Sequence, residues 1–342
     1  MQSVHASREA VRAFIALYCR SVVLQTLRNA GASGTGTLGI QAPDISSGIS
    51  MSHPTHPAPR PTIQCSTGPL WALGLEATLD VIAEAGFTHI ELMVTRDPST
   101  QSPDLPRRLA EERGLRIAAL HAPFLIVTRT VWGLDPVEKI RRGAEMTAAV
   151  GATTMVVHPP LLWETGYGRW IREEMEGFAG GAGVEIAVET MYPVKVGSRS
   201  VAGYRWIRPE LLARAAPRVV LDTSHVAVAG HNLLGVRRLF GSQLAHVHLS
   251  DNAGDGRDGH LEIGRGVLPL GRFLDDLCRT GYAGGICLEL ALGGVVDRRE
   301  ALVATLTRNR ESVEAALAGW AVIAAQDRPE STGETLDRLE TT

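Results

Sequence analysis

Short β-rich runs alternate strictly with amphipathic segments from residue 62 onward, and this alternation limits the fold more than any other feature. The predicted strands are Ile63–Ser66, His89–Val94, Arg116–His121, Thr154–His158, Glu185–Glu189, Val219–Asp222, Ala245–Leu249 and Gly285–Leu290. The predicted helices, whose apolar residues recur at the i, i+3, i+4 and i+7 spacing of one buried face, are Leu75–Ala85, Asp104–Arg113, Pro136–Val150, Gly168–Ala179, Pro209–Ala215, Leu233–Phe240, Leu268–Thr280 and Arg298–Leu317. Eight such pairs predict an α/β fold, a single (β/α)8 TIM barrel, rather than a doubly wound open sheet.

Length and cysteine usage agree with this prediction. The chain has 342 residues, of which 44% are hydrophobic, and a barrel of this kind needs about 250. The cysteines are far apart and form no C-x-x-C pair, which argues against a disulfide scaffold and favours a reducing, cytoplasmic location; they are Cys19, Cys65, Cys278 and Cys287. No apolar stretch approaches the roughly 20 residues of a membrane span, so we expect no membrane segment.

The first 60 residues differ in composition from the rest. Residues 31–37 read as a flexible Gly/Ser/Thr linker, and residues 53–61 are rich in proline. We therefore predict a disordered extension over 1–60, with Met51 as an alternative start of the protein, the barrel over 61–320 and a polar tail over 321–342. The basic excess of the extension leaves residues 61–342 with a net charge of −6, which argues against nucleic acid as a partner.

Side chains able to bind metal stand at or just after the ends of most predicted strands. They are His121, His158, Glu189, Asp222, His225, His248, Asp258, His260 and Glu289. The carboxyl ends of TIM-barrel strands meet at one face, so we predict a metal site there, with four central ligands: Glu189, Asp222, His248 and Glu289. Carboxylates with one imidazole suit Mn²⁺, Mg²⁺, Co²⁺ or Zn²⁺. No G-x-G-x-x-G follows the first strand and no P-loop occurs, which excludes the usual nucleotide-binding loops.

The segment from His246 to Gly266 reads H-V-H-L-S-D-N and then D-G-H-L-E-I-G-R-G. It is similar to the H-x-H-L-x-D-N … D-x-H-x-x-x-G-x-G pattern of the xylose isomerase-like TIM barrel superfamily. Further matches are His121-Ala-Pro, Val157-His-Pro-Pro, Leu221-Asp-Thr-Ser-His and the stretch 281–289, so that the resemblance covers about 62–317. The superfamily includes sugar-phosphate isomerases and epimerases, and also endonuclease IV-type AP endonucleases.

The isomerase and epimerase branch implies one divalent metal on the four central ligands. The substrate would be an α-hydroxy carbonyl compound, a carbohydrate or keto acid, whose carbonyl the metal polarises. Glu189 and Glu289 would be the catalytic residues, one removing a proton and the other returning it through a metal-bound ene-diolate.

The AP-endonuclease branch implies up to three zinc ions and a phosphodiesterase acting on abasic DNA. By that resemblance one zinc takes His121, His158 and Glu189, a second takes the four central ligands, and a third takes His225, Asp258 and His260. The short loop between Asp251 and Asp258 departs from that branch. A third reading is a catalytically silent barrel, against which the intact Glu189 and Glu289 pair argues.

Three further side chains are candidates for binding substrate. Trp132 and Trp163 follow the third and fourth predicted strands, where an indole could stack on a sugar, and Arg265 lies in the turn beside His260, where it could bind an anionic group. The superfamily also implies a homo-oligomer formed through the outer helices.

Overall fold

Eight parallel strands close into a barrel in the computed structural model of the chain, which describes residues 60–196 and 199–326. The strands of these residues are β1 (Thr62–Ser66), β2 (His89–Met93), β3 (Arg116–His121), β4 (Thr154–Val157), β5 (Glu185–Glu189), β6 (Val194–Val196), β7 (Arg199–Val201), β8 (Val219–Asp222), β9 (Leu244–Leu249) and β10 (Gly285–Leu288). The order around the barrel is β1-β10-β9-β8-β5-β4-β3-β2, and β6 and β7 form a separate hairpin. The predicted (β/α)8 barrel is confirmed.

Helices surround the barrel and connect its strands. In the described residues they are α1 (Leu75–Glu84), α2 (Asp104–Glu111), α3 (Pro136–Ala149), α4 (Thr165–Glu173), α5 (Met175–Ala182), α6 (Pro209–Ala215), α7 (Thr223–Val228), α8 (Leu233–Phe240), α9 (Leu270–Arg279) and α10 (Arg299–Gln326). Short 3₁₀ helices lie at Gly68–Leu73, Pro98–Thr100, Ile126–Thr128 and Gly241–Gln243.

Local sequence sets where these helices begin and end. Helix α3 begins after Asp135, whose carboxylate accepts the backbone N–H of Val137 at 2.8 Å, and proline occupies its first turn. Five helices are followed by a glycine with positive φ, as their sequences predicted; these are Gly86, Gly114, Gly151, Gly183 and Gly281.

Some elements differ from the sequence prediction. The single helix predicted over 168–179 is two helices, because the backbone at Glu174 (φ −125°) leaves helical geometry between α4 and α5. The last helix continues to Gln326 into the predicted polar tail, since residues 315–325 are rich in alanine, the best helix former. Helix α7 and the β6–β7 hairpin were not predicted.

The predicted extension over 1–60 lies outside the described residues except for its last position, as does the tail beyond residue 326. Within the part of the chain that is described, no helix is long and apolar enough to cross a membrane.

The inside of the barrel is apolar on one side and polar on the other. Val156, Ala187, Val220 and Ala245 form a buried apolar cluster within it, whereas the helices pack on the outside through a larger apolar core. Strands β1, β2 and β9 contribute buried polar side chains. The functional groups described next lie at the carboxyl ends of the strands.

Candidate metal centre

The strand ends place all nine predicted metal-binding side chains in one connected group. Glu189 and Asp222 end strands β5 and β8, and His121 ends β3. His158 and Glu289 directly follow β4 and β10, and Asp222 is the register partner of His248. The side chains meet because the parallel strands all run toward this face.

The four central ligands converge on one ring nitrogen. The Nδ1 atom of His248 lies 3.0 Å from Oε1 of Glu189, 3.0 Å from Oε2 of Glu289 and 3.8 Å from Oδ2 of Asp222. The ligand atoms of all four residues lie within 4.8 Å of one another. Three carboxylates and one imidazole at this spacing could hold one hard or borderline divalent cation.

Two further groups adjoin this cluster and share its carboxylates. Oε2 of Glu189 lies 3.7 Å from Nε2 of His121 and 3.2 Å from Nε2 of His158. On the other side, the carboxylate of Asp258 lies 3.4 Å from Nε2 of His225 and 3.1 Å from Nε2 of His260. Glu189 and Asp222 each belong to two candidate ligand groups.

Outer hydrogen bonds orient the imidazole rings. Backbone carbonyls accept hydrogen bonds from Nδ1 of His121 at 3.0 Å, of His225 at 2.7 Å and of His260 at 3.0 Å. A carbonyl can only accept, so Nδ1 carries the proton in each ring, and Nε2 faces the carboxylates. Metal-binding histidines are held in this way in many proteins. The Nδ1 atom of His158 lies 3.5 Å from the hydroxyl oxygen of Tyr204.

Among the nine candidate ligands, two buried carboxylate oxygens make no hydrogen bond of good geometry, Oε2 of Glu189 and Oδ2 of Asp222. An uncompensated buried carboxylate oxygen is costly. Bound cations would compensate them, since Oδ2 of Asp222 faces His248, and Oε2 of Glu189 faces His121 and His158. The donor set, the held rings and these two oxygens fit a divalent metal.

Charges within the group shift its pKa values strongly. Burial alone would raise the pKa of Glu189, but the neighbouring His248, His121 and His158 hold it well below its usual range. Burial raises the pKa of Asp222 to about 6, with His225 and His260 opposing that rise. Burial would lower the pKa of His225, but the Asp222 and Asp258 carboxylates outweigh this effect and raise the pKa to about 10. The carboxylates thus draw positive charge to this site, and a divalent cation would supply it.

The loop between Asp251 and Leu268 supports the site from outside. The Asp251 carboxylate accepts the N–H of Gly264 at 3.1 Å and of Leu268 at 3.0 Å. A Cβ atom at Gly266 would lie 2.3 Å from the carbonyl oxygen of Asn252, so only glycine fits there. Much of the H-x-H-L-x-D-N and G-x-G pattern is therefore scaffold for the residues that face the cluster.

Asp258 is held by two side chains that the sequence did not single out. Ser224 donates to Oδ1 at 2.7 Å, and Tyr192 donates to Oδ2 at 3.0 Å. Ser224 lies in the short helix α7, whose first turn is capped by the Asp222 carboxylate at the N–H of His225. The Asp222 carboxylate thus caps helix α7 and is also one of the four central ligands.

Glu91 is the main residue in contact with the cluster that the sequence analysis did not single out. It lies fully buried in β2, with Oε2 3.0 Å from Nε2 of His248 and 3.0 Å from Nε2 of His246. A carboxylate inside the apolar run Ile90–Val94 was the available signal, because buried glutamate is rare unless it is paired.

The three predicted substrate contacts occupy different surroundings. Trp132 packs against the core with the Arg142 guanidinium 5.1 Å from its ring. Trp163 lies in the loop after β4 and is 37% exposed, and Arg265 is exposed in its turn. Their contact with substrate stays a prediction.

A cavity of about 940 Å³ opens at the opposite end of the barrel. Residues at the amino ends of the strands line it, such as Thr62, Thr154 and Glu185. The nine candidate ligands lie at the other end of the barrel, and none of them lines this cavity.

Comparisons with known proteins agree on the family. The profile described as xylose isomerase-like TIM barrel matches residues 79–311. An uncharacterized protein of Mycobacterium leprae is 32% identical over 261 residues, which are 70% of this chain and 93% of that protein.

Solved structures share the fold at low sequence identity. A D-tagatose 3-epimerase-like protein is 22% identical, with a TM-score of 0.56 over 78% of this chain and 98% of that chain. An L-ribulose 3-epimerase is 16% identical, with a TM-score of 0.56 over 80% of this chain and 99% of that chain.

Proposed function

The chain belongs to the xylose isomerase-like TIM barrel family, and on this premise we propose that it is a divalent-metal-dependent sugar or sugar-phosphate isomerase or epimerase. Its substrate would be an α-hydroxy carbonyl compound, on which it acts by proton transfer. The observation that carries this proposal is the approach of Glu189 and Glu289 to one atom, Nδ1 of His248, at 3.0 Å each. The similarity to a D-tagatose 3-epimerase-like protein and to an L-ribulose 3-epimerase supports it.

The two carboxylates reach the site from different parts of the barrel. Strands β8 and β9 separate β5, which ends in Glu189, from β10, which precedes Glu289. A substrate held between them would meet one carboxylate on each side. Such a pair can move a proton off one face of a carbon and return it to the other, as epimerisation requires.

Ionisation of the pair suits the removal of a proton. Burial would raise the pKa of Glu289, but the neighbouring His248 ring and His260 lower it, and the pKa of Glu189 is lowered in the same way. Both carboxylates are thus ionised near neutral pH, the form that a general base requires. A divalent cation, when bound, would polarise the substrate carbonyl and acidify the neighbouring C–H bond.

Burial distinguishes the two carboxylates. The Glu289 side chain is 18% exposed and the Glu189 side chain 2%. Glu289 therefore lies at the side from which a substrate enters, and its proton can exchange with water. Glu189 lies deeper, among His121, His158 and His225.

Glu189→Gln and Glu289→Gln test this proposal, with Glu185→Gln as the matched control in the same strand β5. Glu185 lies at the other end of that strand, where it pairs with Arg218 at the surface. Deuterium uptake next to the carbonyl is followed by NMR for a panel of ketoses, their phosphates and keto acids. For a substrate that the wild type exchanges, each site variant should lose about 10²- to 10⁴-fold in rate, and the control should not. Full exchange by both site variants would contradict the assignment.

A zinc phosphodiesterase acting on abasic DNA is the second candidate. It is favoured by the two outer ligand groups, His121 with His158 and His225 with His260, beside the central cluster. Clustered zinc ions activate hydroxide and stabilise phosphoryl transfer. Zinc-loaded protein would then incise an abasic duplex on the 5′ side of the lesion, and absence of incision overturns this candidate.

A further inference from the structure

Glu91 adjoins the four central ligands. In the described hydrogen bonds and ion pairs it contacts only one of them, His248. It is 0% exposed, and the same oxygen, Oε2, lies 3.0 Å from Nε2 of His248 and 3.0 Å from Nε2 of His246. A lone buried carboxylate would cost several kcal/mol. The hydrogen bond from His248 and the close approach of the His246 ring compensate it.

His248 is turned opposite to the other site histidines. His121, His225 and His260 present Nε2 to the carboxylates and donate Nδ1–H to backbone carbonyls. His248 presents Nδ1 to Glu189 and Glu289, and its Nε2 faces Glu91. The outer acceptor decides which ring nitrogen points inward, and for His248 that acceptor is a carboxylate.

The neighbours of Glu91 hold this arrangement. The rings of His246 and His248 are nearly perpendicular, at 88°, with centroids 5.3 Å apart. A Cβ atom at Gly285 would lie 2.6 Å from the His246 ring, so glycine leaves the space that the ring fills. His246 is thus held with Nε2 3.0 Å from the Glu91 oxygen that is hydrogen-bonded to His248.

We propose that Glu91 is a positioning residue, which accepts Nε2–H from His248 and thereby directs the Nδ1 lone pair to the divalent cation. This inference rests on the proposed metal-dependent function. Carboxylates that bind the outer nitrogen of a metal-bound imidazole fix its tautomer and raise its basicity. Loss of the charge of Glu91 should therefore weaken metal binding without removing a ligand.

Glu91→Gln is the test variant, because glutamine keeps the size and one acceptor oxygen. Metal-free protein is titrated with Co²⁺ against a chromophoric chelator, and the visible spectrum of the bound ion is recorded. We expect roughly 10- to 100-fold weaker Co²⁺ binding and an altered spectrum, with the thermal midpoint of the metal-free protein not lowered. Cys287→Ser is the matched control, since Cys287 is also fully buried and is the register partner of His248; it should bind Co²⁺ as the wild type does.

Each other outcome overturns this role in a distinguishable way. Unchanged Co²⁺ affinity and spectrum in Glu91→Gln, with or without a lower thermal midpoint, would make Glu91 structural only and leave the proposed function intact. A thiolate-to-cobalt band lost in Cys287→Ser would mean that Glu91, His246 and Cys287, whose ligand atoms lie within 4.8 Å of one another, bind metal themselves. A wild type that binds no Co²⁺ would overturn both this role and the proposed function.

Discussion

At the scale of single residues, the proposed metal site would couple cation binding to the release of protons. Nδ1 of His225 donates to the carbonyl of Thr190 at 2.7 Å, while Nε2 faces Asp222 and Asp258. In the metal-free protein those carboxylates favour a protonated ring. A metal ligand must be neutral, so binding of a cation at Nε2 releases that proton.

The raised pKa of His225 predicts how stability depends on pH. Burial opposes the shift, but Asp222 and Asp258 raise this pKa from 6.5 to about 10. The stabilisation is complete below pH 6.5, where the unfolded ring also holds its proton, and is lost as the pH rises through about 10. The thermal midpoint of the metal-free protein should fall over that interval.

His225→Asn is the matched variant for this titration, and its midpoint should change less over the same interval. A saturating divalent metal should also flatten the dependence, because the bound ring is neutral throughout. A midpoint of the metal-free wild type that rises across this interval would contradict the assigned shift.

At the scale of elements, periodicity in the sequence predicted the barrel strands and most helices, because each buries one face. The strand ends then located the nine candidate ligands. The break at Glu174 was not predictable, since apolar residues continue at helical spacing on both sides of it. Glu91 was missed for a related reason, because one sequence does not show which strand residues face the barrel interior. The support of Asp258 by Tyr192 joins residues 66 positions apart, which no local pattern reveals.

Helix α5 has two glycines whose replacement by alanine should change the free energy of unfolding in opposite directions. Gly183 ends the helix at φ 68°, and Gly177 lies exposed in its first turn; a Cβ atom would meet nothing within 4 Å at either position. Gly183→Ala should destabilise by about 1 kcal/mol, because left-handed backbone strains an L-residue. Gly177→Ala should stabilise by up to about 1 kcal/mol through helix propensity. Denaturant unfolding measures both, and equal signs would contradict the assigned end of α5.

At the scale of the whole molecule, the metal centre joins strands that lie far apart in the sequence. Its candidate ligands come from the ends of β3, β4, β5, β8, β9 and β10, from helix α7 and from the loop after β9. The barrel has its own apolar core around these strands, so we expect the fold to persist without metal. The number of cations held at this face then separates the two candidate functions.

The most direct test is the metal content of the purified chain, measured by elemental analysis after preparation from metal-replete medium without chelator. The isomerase account predicts about one Mn²⁺, Co²⁺, Mg²⁺ or Zn²⁺ per chain, lost in a Glu189→Gln, Asp222→Asn double variant. Two or three zinc ions per chain would contradict the single-metal account and favour the phosphodiesterase. A chain without bound divalent metal, which also takes up none on titration, would contradict both.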